Sequence, residues 1–301
     1  MTSQFLLSEA LEGFVLASQA RRLSKHTIAD YSNTIRKLIK HMGDQNVDKV
    51  TRSILRKFLA VQTVSNKTVQ NYHTGLSAFF RWALEEQIVD INPVVGIKRP
   101  KAEQRTIQPI PEAHVRAILT ETKRVVYKRS GKQIIAKSPY KNRHRALILL
   151  LLDTGMRVSE VCSLTKENTD LDAKNLKIIG KNKKERILYY SSSTAQALWK
   201  YMNSHEYPYV FVTDKGRPLD RHNIRHIIKR LCRQAVVPEY SPHDFRHTFA
   251  VNFLRNYPNI YALQQMLGHA TLDMVKRYLA ISERDIKKAH MYASPVMNWG
   301  L

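Results

Sequence analysis

The dipeptide Ser241-Pro242 marks the start of a helix and fixes what its first turn presents. Serine is favoured at the N-cap, and proline fits the first helical position because its missing N–H has no intrahelical acceptor there. His243 and Arg246 are three residues apart and therefore share one face of that turn. The free N–H groups of a helix N-terminus also attract anions, so this turn is suited to bind a phosphate group.

A second segment, ending at Tyr278, adds one more histidine and a tyrosine. Gly268 is typical of the residue that follows a helix C-cap, which places His269 in a tight turn. Tyr278 lies nine residues later, in a helix that Ala270 or Thr271 would begin. A turn histidine and a helical tyrosine near a phosphate site indicate a phenolic nucleophile. Each residue taken singly is more often structural, so the hypothesis depends on the whole set.

The charge of the chain indicates a polyanionic partner. Its 301 residues include 49 Lys+Arg against 25 Asp+Glu, which gives a net charge of +24 spread over the whole length. Nucleic acid is favoured over a membrane because no amphipathic anchor or signal peptide is visible and the longest apolar run, 146–152, is too short to span a bilayer. Cys162 and Cys232 form no Cys-x-x-Cys motif, which is typical of a reducing cytoplasm and indicates no zinc site.

The sequence divides into two predicted domains joined by a linker. Four amphipathic helices are predicted in residues 1–91, where apolar residues recur at helical spacing along 7–20 and after the cap residues Ser24, Thr51 and Ser65. Residues 92–110 are rich in proline and basic side chains, which indicates an extended linker. Residues 111–301 follow as the second domain.

The second domain is predicted to combine helices with a few strands. Helices are expected near 111–120, 146–153, 193–205 and 221–235, and strands near 176–178, 187–189 and 209–213. The basic segment 123–145 is interrupted by Gly131 and Pro139, and it is interpreted as an exposed loop or hairpin. The fold class expected for the chain is mainly α, with a small β-sheet in the C-terminal domain.

Two further basic positions are candidates for contact with a phosphate. Arg157 follows a buried helix that Gly155 ends, and Glu160 lies three residues later on the same face, where it could position the arginine. The turn 180–186 between two predicted strands clusters Lys181, Lys183 and Lys184, so that a flexible hairpin could deliver one ammonium group. Alternatively, these lysines keep an edge strand soluble.

In this order, the segments TGMRVSEV, GKNKKER, HDFRH and LGHATLDMVKRY resemble the tyrosine site-specific recombinases, the phage integrase family, over nearly the whole chain. The resemblance implies a helical core-binding domain followed by an α+β catalytic domain. Two differences from the family concern the basic segment 123–145, which is longer than in the simplest members, and the absence after His269 of the paired threonines of chromosome-dimer resolvases. By position, the resemblance assigns as catalytic residues Arg157, Lys181, His243, Arg246, His269 and Tyr278, with Lys183 as a rival for Lys181.

The resemblance also implies a chemistry for these residues. The tyrosine would cleave one strand of double-stranded DNA and leave a 3′-phosphotyrosyl link, which a second strand then attacks. His243 would be the candidate base for Tyr278, the two arginines would stabilise the phosphorane, and Lys181 would protonate the departing oxygen. His269 would donate a hydrogen bond to a phosphate oxygen. No ATP, metal ion or other cofactor is expected, since the cationic side chains supply the positive charge.

Several biological roles fit this chemistry. Integration or excision of a mobile element is favoured, with a Xer-type resolvase of chromosome or plasmid dimers as the alternative; a type IB topoisomerase and a non-catalytic DNA-binding protein rank lower. The resemblance implies a homotetramer on two DNA sites. After Pro295 comes an apolar tail with Val296, Met297, Trp299 and Leu301, which either folds onto its own domain or docks on a neighbouring protomer.

Overall fold

The chain divides into two compact units, Met1–Arg105 and Thr106–Leu301. A computed structural model describes residues 5–101, 108–129, 132–179, 185–268, 271–272, 275, 278, 290–291 and 293–301. Within these residues the chain is mostly helical with small antiparallel sheets, as the sequence predicts. None of the helices in the described part is long and apolar enough to cross a membrane.

The first unit is helical because each apolar stripe follows a side chain that caps the helix. It contains the helices α1 Leu7–Ala20, α2 Lys25–Met42, α3 Arg52–Ala60 and α4 Asn66–Glu85. The predicted caps are confirmed, since the hydroxyl groups of Ser24, Thr51 and Ser65 accept hydrogen bonds from backbone N–H groups three residues on. The apolar faces meet in a core that includes Phe14, Leu38, Phe58, Phe79 and Phe80.

The described ends of the predicted linker 92–110 pack on the units that they adjoin. Val94 is buried in the core of the first unit, and the carbonyl oxygen of Ile97 lies 2.8 Å from His73 Nε2. At the other end, the buried Ile110 donates its N–H to Thr248 Oγ1 at 2.8 Å. The domain boundaries 1–91 and 111–301 stay a prediction.

The second unit is built around one helix that is apolar on nearly every side. Its elements are α5 Glu112–Glu121, β1 Arg124–Arg129, β2 Lys132–Lys137, α6 Lys141–Thr154, α7 Val158–Cys162, β3 Thr169–Asp170, β4 Asn175–Ile179, β5 Glu185–Tyr189, α8 Ser192–Met202, α9 Arg221–Gln234, α10 Pro242–Asn256, α11 Ile260–Leu267 and α12 Pro295–Asn298. Helix α6 buries Leu147, Leu150 and Leu151 and packs against α8 and α10. It thereby places its C-terminal end beside the start of α10.

Within the described residues, two small antiparallel sheets complete the second unit. Strands β3, β4 and β5 form one sheet, in which Lys177 pairs with Ile187. The basic segment 123–145 contains the hairpin β1–β2, with Val126 opposite Ile135, and then the first residues of α6. The hairpin interpretation of that segment is confirmed.

The predicted strand 209–213 is wrong. Its residues make only isolated bridges, Thr165 with Tyr209 and Val212 with Pro218. The chain turns back immediately, since the Thr213 N–H donates to the Arg217 carbonyl oxygen at 2.7 Å. The segment is too short on either side of this turn to extend a ladder. The helix predicted from Ser282 lies almost wholly outside the described residues.

Candidate active site

The site begins where α6 ends, at a glycine in the left-handed conformation. Gly155 has φ 58°, and a Cβ placed there would lie 2.3 Å from Cδ1 of Phe249. Glycine therefore satisfies both the backbone angle and the close approach of α10. Its carbonyl oxygen accepts a hydrogen bond from Nη1 of Arg246 at 2.7 Å.

Arg246 is presented by the first turns of α10, as predicted. The carboxylate of Asp244 fixes the start of that helix by accepting from the Ser241 N–H at 2.7 Å and from its hydroxyl at 2.8 Å. Arg246 is only 4% exposed, and its Nη2 donates to the Leu267 carbonyl oxygen at 2.8 Å. Burial and the neighbouring Arg157 lower the pKa of Arg246 to about 10, so the group is charged at neutral pH.

Arg157 is held by a carboxylate and a second helix end. Its Nη1 lies 3.2 Å from Oε1 of Glu160, and its Nη2 donates to the Gly268 carbonyl oxygen at 3.0 Å. Gly268 is the left-handed C-cap of α11, with φ 59°, as the sequence predicts. The interpretation that Glu160 positions Arg157 is confirmed by these contacts.

A third arginine, Arg186 on β5, completes this network and is missed by the sequence interpretation. Its Nη2 lies 2.8 Å from Oε2 of Glu160, and its Nε donates to the Met266 carbonyl oxygen at 2.9 Å. Burial raises the pKa of Glu160, but the hydrogen bonds and charges of Arg186 and Arg157 together hold the pKa below its usual value. The one sequence signal that could have suggested a role for Arg186 is its place at the end of the basic turn 180–186.

The three arginines share one physical feature: they donate to carbonyl groups at helix C-termini. Arg246 contacts the ends of α6 and α11, whereas Arg157 and Arg186 contact the end of α11. A helix C-terminus carries partial negative charge and unpaired carbonyl groups, so it stabilises a cation nearby. Three guanidinium groups can therefore lie close together with one carboxylate between two of them, and the surplus positive charge suits a phosphate.

The phenol of Tyr278 lies in the same unit, beside α10. Tyr278 is 9% exposed and packs with Val251, Leu263 and Leu267. Its hydroxyl lies 3.0 Å from Nδ1 of His247, and its charge opposes, without reversing, the lowering of the Arg246 pKa. His247, adjacent to Arg246 in the HDFRH segment, is the second residue that the sequence interpretation misses.

The histidine predicted as base is placed differently. The ring of His243 lies 6.5 Å from that of His247, centre to centre, on the same helix. Burial, and then the charge of Arg246, lower the pKa of His243, which is therefore neutral at pH 7. The structure thus pairs the phenol with His247, and the role of His243 stays a prediction. Lys181, its rival Lys183 and His269 lie outside the described residues.

Comparison with known proteins places these residues in a family. Residues 103–284, more than half of the chain, match the model of the phage integrase family, and residues 11–90 match that of the phage integrase N-terminal SAM-like domain. Tyrosine recombinase XerC of Bacillus pumilus (strain SAFR-032) is 27% identical over 293 residues, which cover 91% of this chain and 92% of the relative. Tyrosine recombinase XerD of Halalkalibacterium halodurans is 26% identical over 291 residues, covering 91% and 93%.

Solved structures show the same fold. The Tn1549 transposon integrase in complex with transposon right end DNA has a TM-score of 0.74 at 18% identity, over 95% of this chain and 99% of that one. A lambda integrase dimer bound to a COC′ core site has a TM-score of 0.75 at 15% identity, over 92% and 78%. The chain belongs to the phage integrase family and is a tyrosine site-specific recombinase.

Proposed function

We propose that Arg157 and Arg246 bind the scissile phosphate of a DNA strand and that Tyr278 attacks it. The observation that carries this proposal is the placement of a buried phenol, 3.0 Å from His247, in the neighbourhood of Arg246, whose guanidinium group and that of the adjacent Arg157 are held by helix-end carbonyls. Guanidinium groups stay charged at any working pH and offer paired donors to phosphate oxygens. They are therefore suited to the negative charge that develops on the phosphorane.

In the proposed step, the Tyr278 hydroxyl oxygen forms a bond to phosphorus while the bond from phosphorus to the 5′ oxygen breaks. The phenol loses a proton and the departing 5′ oxygen gains one, which leaves a 3′-phosphotyrosyl link and a 5′-hydroxyl. A 5′-hydroxyl of a second strand then attacks the link, releases the tyrosine and joins the new strands. The link conserves the energy of the phosphodiester, so no ATP is consumed.

The phenol needs a base, because an unperturbed tyrosine has a pKa of about 10. His247 accepts its hydrogen bond in the structure when Nδ1 is unprotonated, and we propose it as the first acceptor of the proton. If His247 is the base, His243 serves as a donor to a phosphate oxygen. The alternative is that His243 is itself the base, as the sequence predicts. Lys181 as the acid for the 5′ oxygen and His269 as a phosphate donor complete the proposed set.

Covalent capture tests this proposal. A nicked duplex, chosen from a random-sequence pool for tight binding, traps the link because the short 5′ fragment diffuses away after cleavage. Wild-type protein is expected to give a protein–DNA adduct on a denaturing gel, and Tyr278→Phe none. An adduct that persists in Tyr278→Phe would assign the nucleophile elsewhere. Tyr257→Phe, an exposed tyrosine in the same unit, is the matched control and is expected to react normally.

Among recombination reactions, we propose integration or excision of a mobile element. Resolution of chromosome or plasmid dimers is the alternative, and the alignment of relatives named XerC and XerD with nine-tenths of the chain is what supports it. A plasmid carrying two sites and a pair of plasmids carrying one each separate the roles. A resolvase is expected to act only on the two-site plasmid, whereas an integrase also joins the pair. Relaxation of supercoils without exchange would instead indicate a topoisomerase.

The reaction also sets the expected assembly. Exchange between two duplexes requires four strand cleavages, and each uses one tyrosine, so we propose a homotetramer on two double-stranded DNA sites. Residues 1–91 would contribute a DNA-binding surface through the basic side chains of α2, Lys37 and Lys40 among them. A cytoplasmic location, expected from two cysteines that form no disulfide, belongs to the same proposal.

A further inference from the structure

A cationic cavity lies at the other end of α6, away from the active site. It has a volume of about 670 Å³ and is lined by Arg143, Thr213, His226, Arg230 and Arg233, among others. The neighbouring Lys229 and Arg233 share one carboxylate, Glu239, at 2.7 and 2.9 Å. Four cationic side chains line the cavity, and the described residues place two carboxylates, Asp214 and Glu239, against them. The cavity therefore carries a surplus of positive charge.

Arg143 is held by Val212 and Asp214 but keeps one donor, Nε, without a partner among the described residues. Its side chain is only 12% exposed, its Nη1 donates to the Val212 carbonyl oxygen at 2.8 Å, and its guanidinium lies over the ring of Tyr140. Its buried Nε finds no hydrogen-bond partner among the described residues, and neither does the buried hydroxyl oxygen of Thr213. Buried donors without partners are uncommon and costly, so an acceptor from outside would be stabilised here.

Arg230 faces Arg143 across the same cavity and has no carboxylate partner within the described part of the chain. Its Nη2 lies 3.4 Å from Nε2 of His144. Burial, together with Arg230 and Arg143, lowers the pKa of His144 to about 3, so its imidazole is neutral and adds no charge to the cavity. Two half-desolvated guanidinium groups repel each other unless an anion lies between them.

The exposed side of α9 connects this cavity with the active site. Arg225 lies close enough to His243 to contribute, after burial and Arg246, to the lowering of its pKa, and the next residue, His226, lines the cavity. Helix α6 also joins the two places: its 14 residues span about 20 Å at 1.5 Å per residue. For a duplex that runs parallel to α6, which the proposal assumes, that length corresponds to about six base pairs at 3.4 Å per base pair.

We propose that this cavity binds a backbone phosphate of the same DNA duplex, about six base pairs from the scissile phosphate, between Arg143 and Arg230. The proposal deepens the recombinase function, on which it rests for the identity of the ligand. It gives the catalytic unit a second anchor, which fixes the distance along the duplex at which Tyr278 meets its phosphodiester. Forked guanidinium donors match the paired oxygens of a phosphodiester.

The test combines neutralised phosphates with variants of Arg230. Tyr278→Phe protein is used throughout, so that binding is measured without cleavage, and covalent capture with the same variant shows separately whether the catalytic assignment holds. Duplexes carry one uncharged methylphosphonate at each successive position. The substitution about six base pairs from the cleavage position is expected to weaken binding on the order of tenfold, and Arg230→Gln is expected to abolish the sensitivity at that position alone.

Salt dependence gives a second readout. Arg230→Gln is expected to reduce the slope of log affinity against log salt by about 0.9, the value for one phosphate contact, and Arg230→Lys to keep most of the slope because it keeps the charge. Arg116→Gln removes an equally charged but exposed side chain of α5, paired with Glu112, and is expected to change neither readout. Thermal melts confirm that each variant folds. If Arg230→Gln does not fold, the phosphate map is measured with Arg230→Lys, which keeps the charge but loses the paired donors and is expected to reduce the sensitivity at that one position.

Two results would overturn the proposal. In the first, Arg230→Gln and each methylphosphonate weaken binding independently, so that their fold-losses of affinity multiply at every position. That result would show that Arg230 contacts no single phosphate. Normal binding to one site combined with poor assembly on two-site DNA would show that the cavity holds an acidic group of another protomer instead.

Discussion

At the residue scale, His247 decides how the nucleophile is activated. We expect His247→Ala to lower the single-turnover cleavage rate by about 10²–10⁴-fold, the usual contribution of a general base, because the variant removes the ring nitrogen that lies 3.0 Å from the phenol oxygen. The rate of the variant should rise steadily with pH, because hydroxide must then take the proton, and added imidazole should restore part of the rate. His243→Ala is the comparison on the same helix: loss of the acidic limb in that variant alone would make His243 the base.

Glu160 is the carboxylate on which two arginines depend, and its charge links the site to pH. In Glu160→Gln, the buried Arg186 loses its ion pair, which we expect to destabilise the protein by about 3–5 kcal/mol. The folded pKa of Glu160 is depressed, so this contribution is complete above its unfolded pKa of about 4.5 and is lost as the pH falls through the folded pKa.

The measurement is the difference in melting temperature between wild type and Glu160→Gln across pH 3 to 7. That difference should be largest near neutral pH and shrink in acid. Glu112→Gln, which breaks an exposed pair with Arg116, should shift the melting temperature little at any pH. A difference that does not change with pH would mean that Glu160 acts through its shape and hydrogen bonds, not through its charge.

At the element scale, the ends of helices place the site, and Gly155 is the position where this is most demanding. Gly155→Ala adds a Cβ at φ 58° that collides with the ring of Phe249, so α10 or Arg246 must shift. We expect a loss of stability of a few kcal/mol and slower cleavage, because the carbonyl that holds Arg246 moves with the helix end. Gly43→Ala is the comparison without a clash: at φ 84° and ψ 165° an alanine is at least as strained in its backbone as at Gly155, but no atom lies closer than 3.9 Å to the added Cβ. Equal losses in both variants would show that backbone strain alone explains the effect.

The same scale shows what sequence reasoning can reach. Caps such as Ser24, Ser65 and Gly155 act within a few residues of themselves, so helix boundaries follow from local chemistry. The contact of Arg186 with Glu160 joins β5 to α7, and that of His247 with Tyr278 joins residues 31 positions apart. Nothing in the spacing of those residues encodes such contacts, because tertiary packing alone brings them together.

The predicted strand 209–213 failed for a related reason. Its apolar residues Val210, Phe211 and Val212 are buried as a strand pattern requires. Their backbone groups, however, find scattered partners: the Val210 N–H donates to the Leu164 carbonyl oxygen, the Val212 N–H to the Tyr201 hydroxyl, and the Val212 carbonyl oxygen accepts from Arg143. Burial pattern therefore identified a core segment but could not show that no neighbouring strand was available to pair with it.

At the scale of the whole molecule, the C-terminal tail bears on assembly. After Pro295 the chain forms the short helix α12, and Val296, Met297, Trp299 and Leu301 are between 56% and 82% exposed. The described residues of its own chain leave these side chains uncovered, at a cost of about 25 cal/mol per Å² of apolar surface. We therefore expect the tail to be covered by the catalytic unit of a second protomer, in a head-to-tail contact that closes a ring of four.

Deletion of residues 295–301 separates this arrangement from packing on the same chain. The shortened protein is expected to keep its melting temperature and its binding to one DNA site, because the tail contributes little to either unit. Assembly on two-site DNA, followed by light scattering and native gels, should fall sharply. Trp299→Ser in the full chain should show the same loss to a smaller degree, whereas Trp199→Ser, an exposed tryptophan on α8, serves as the matched control. Normal tetramers from the shortened protein, or a lowered melting temperature, would instead indicate that the tail packs on its own catalytic unit.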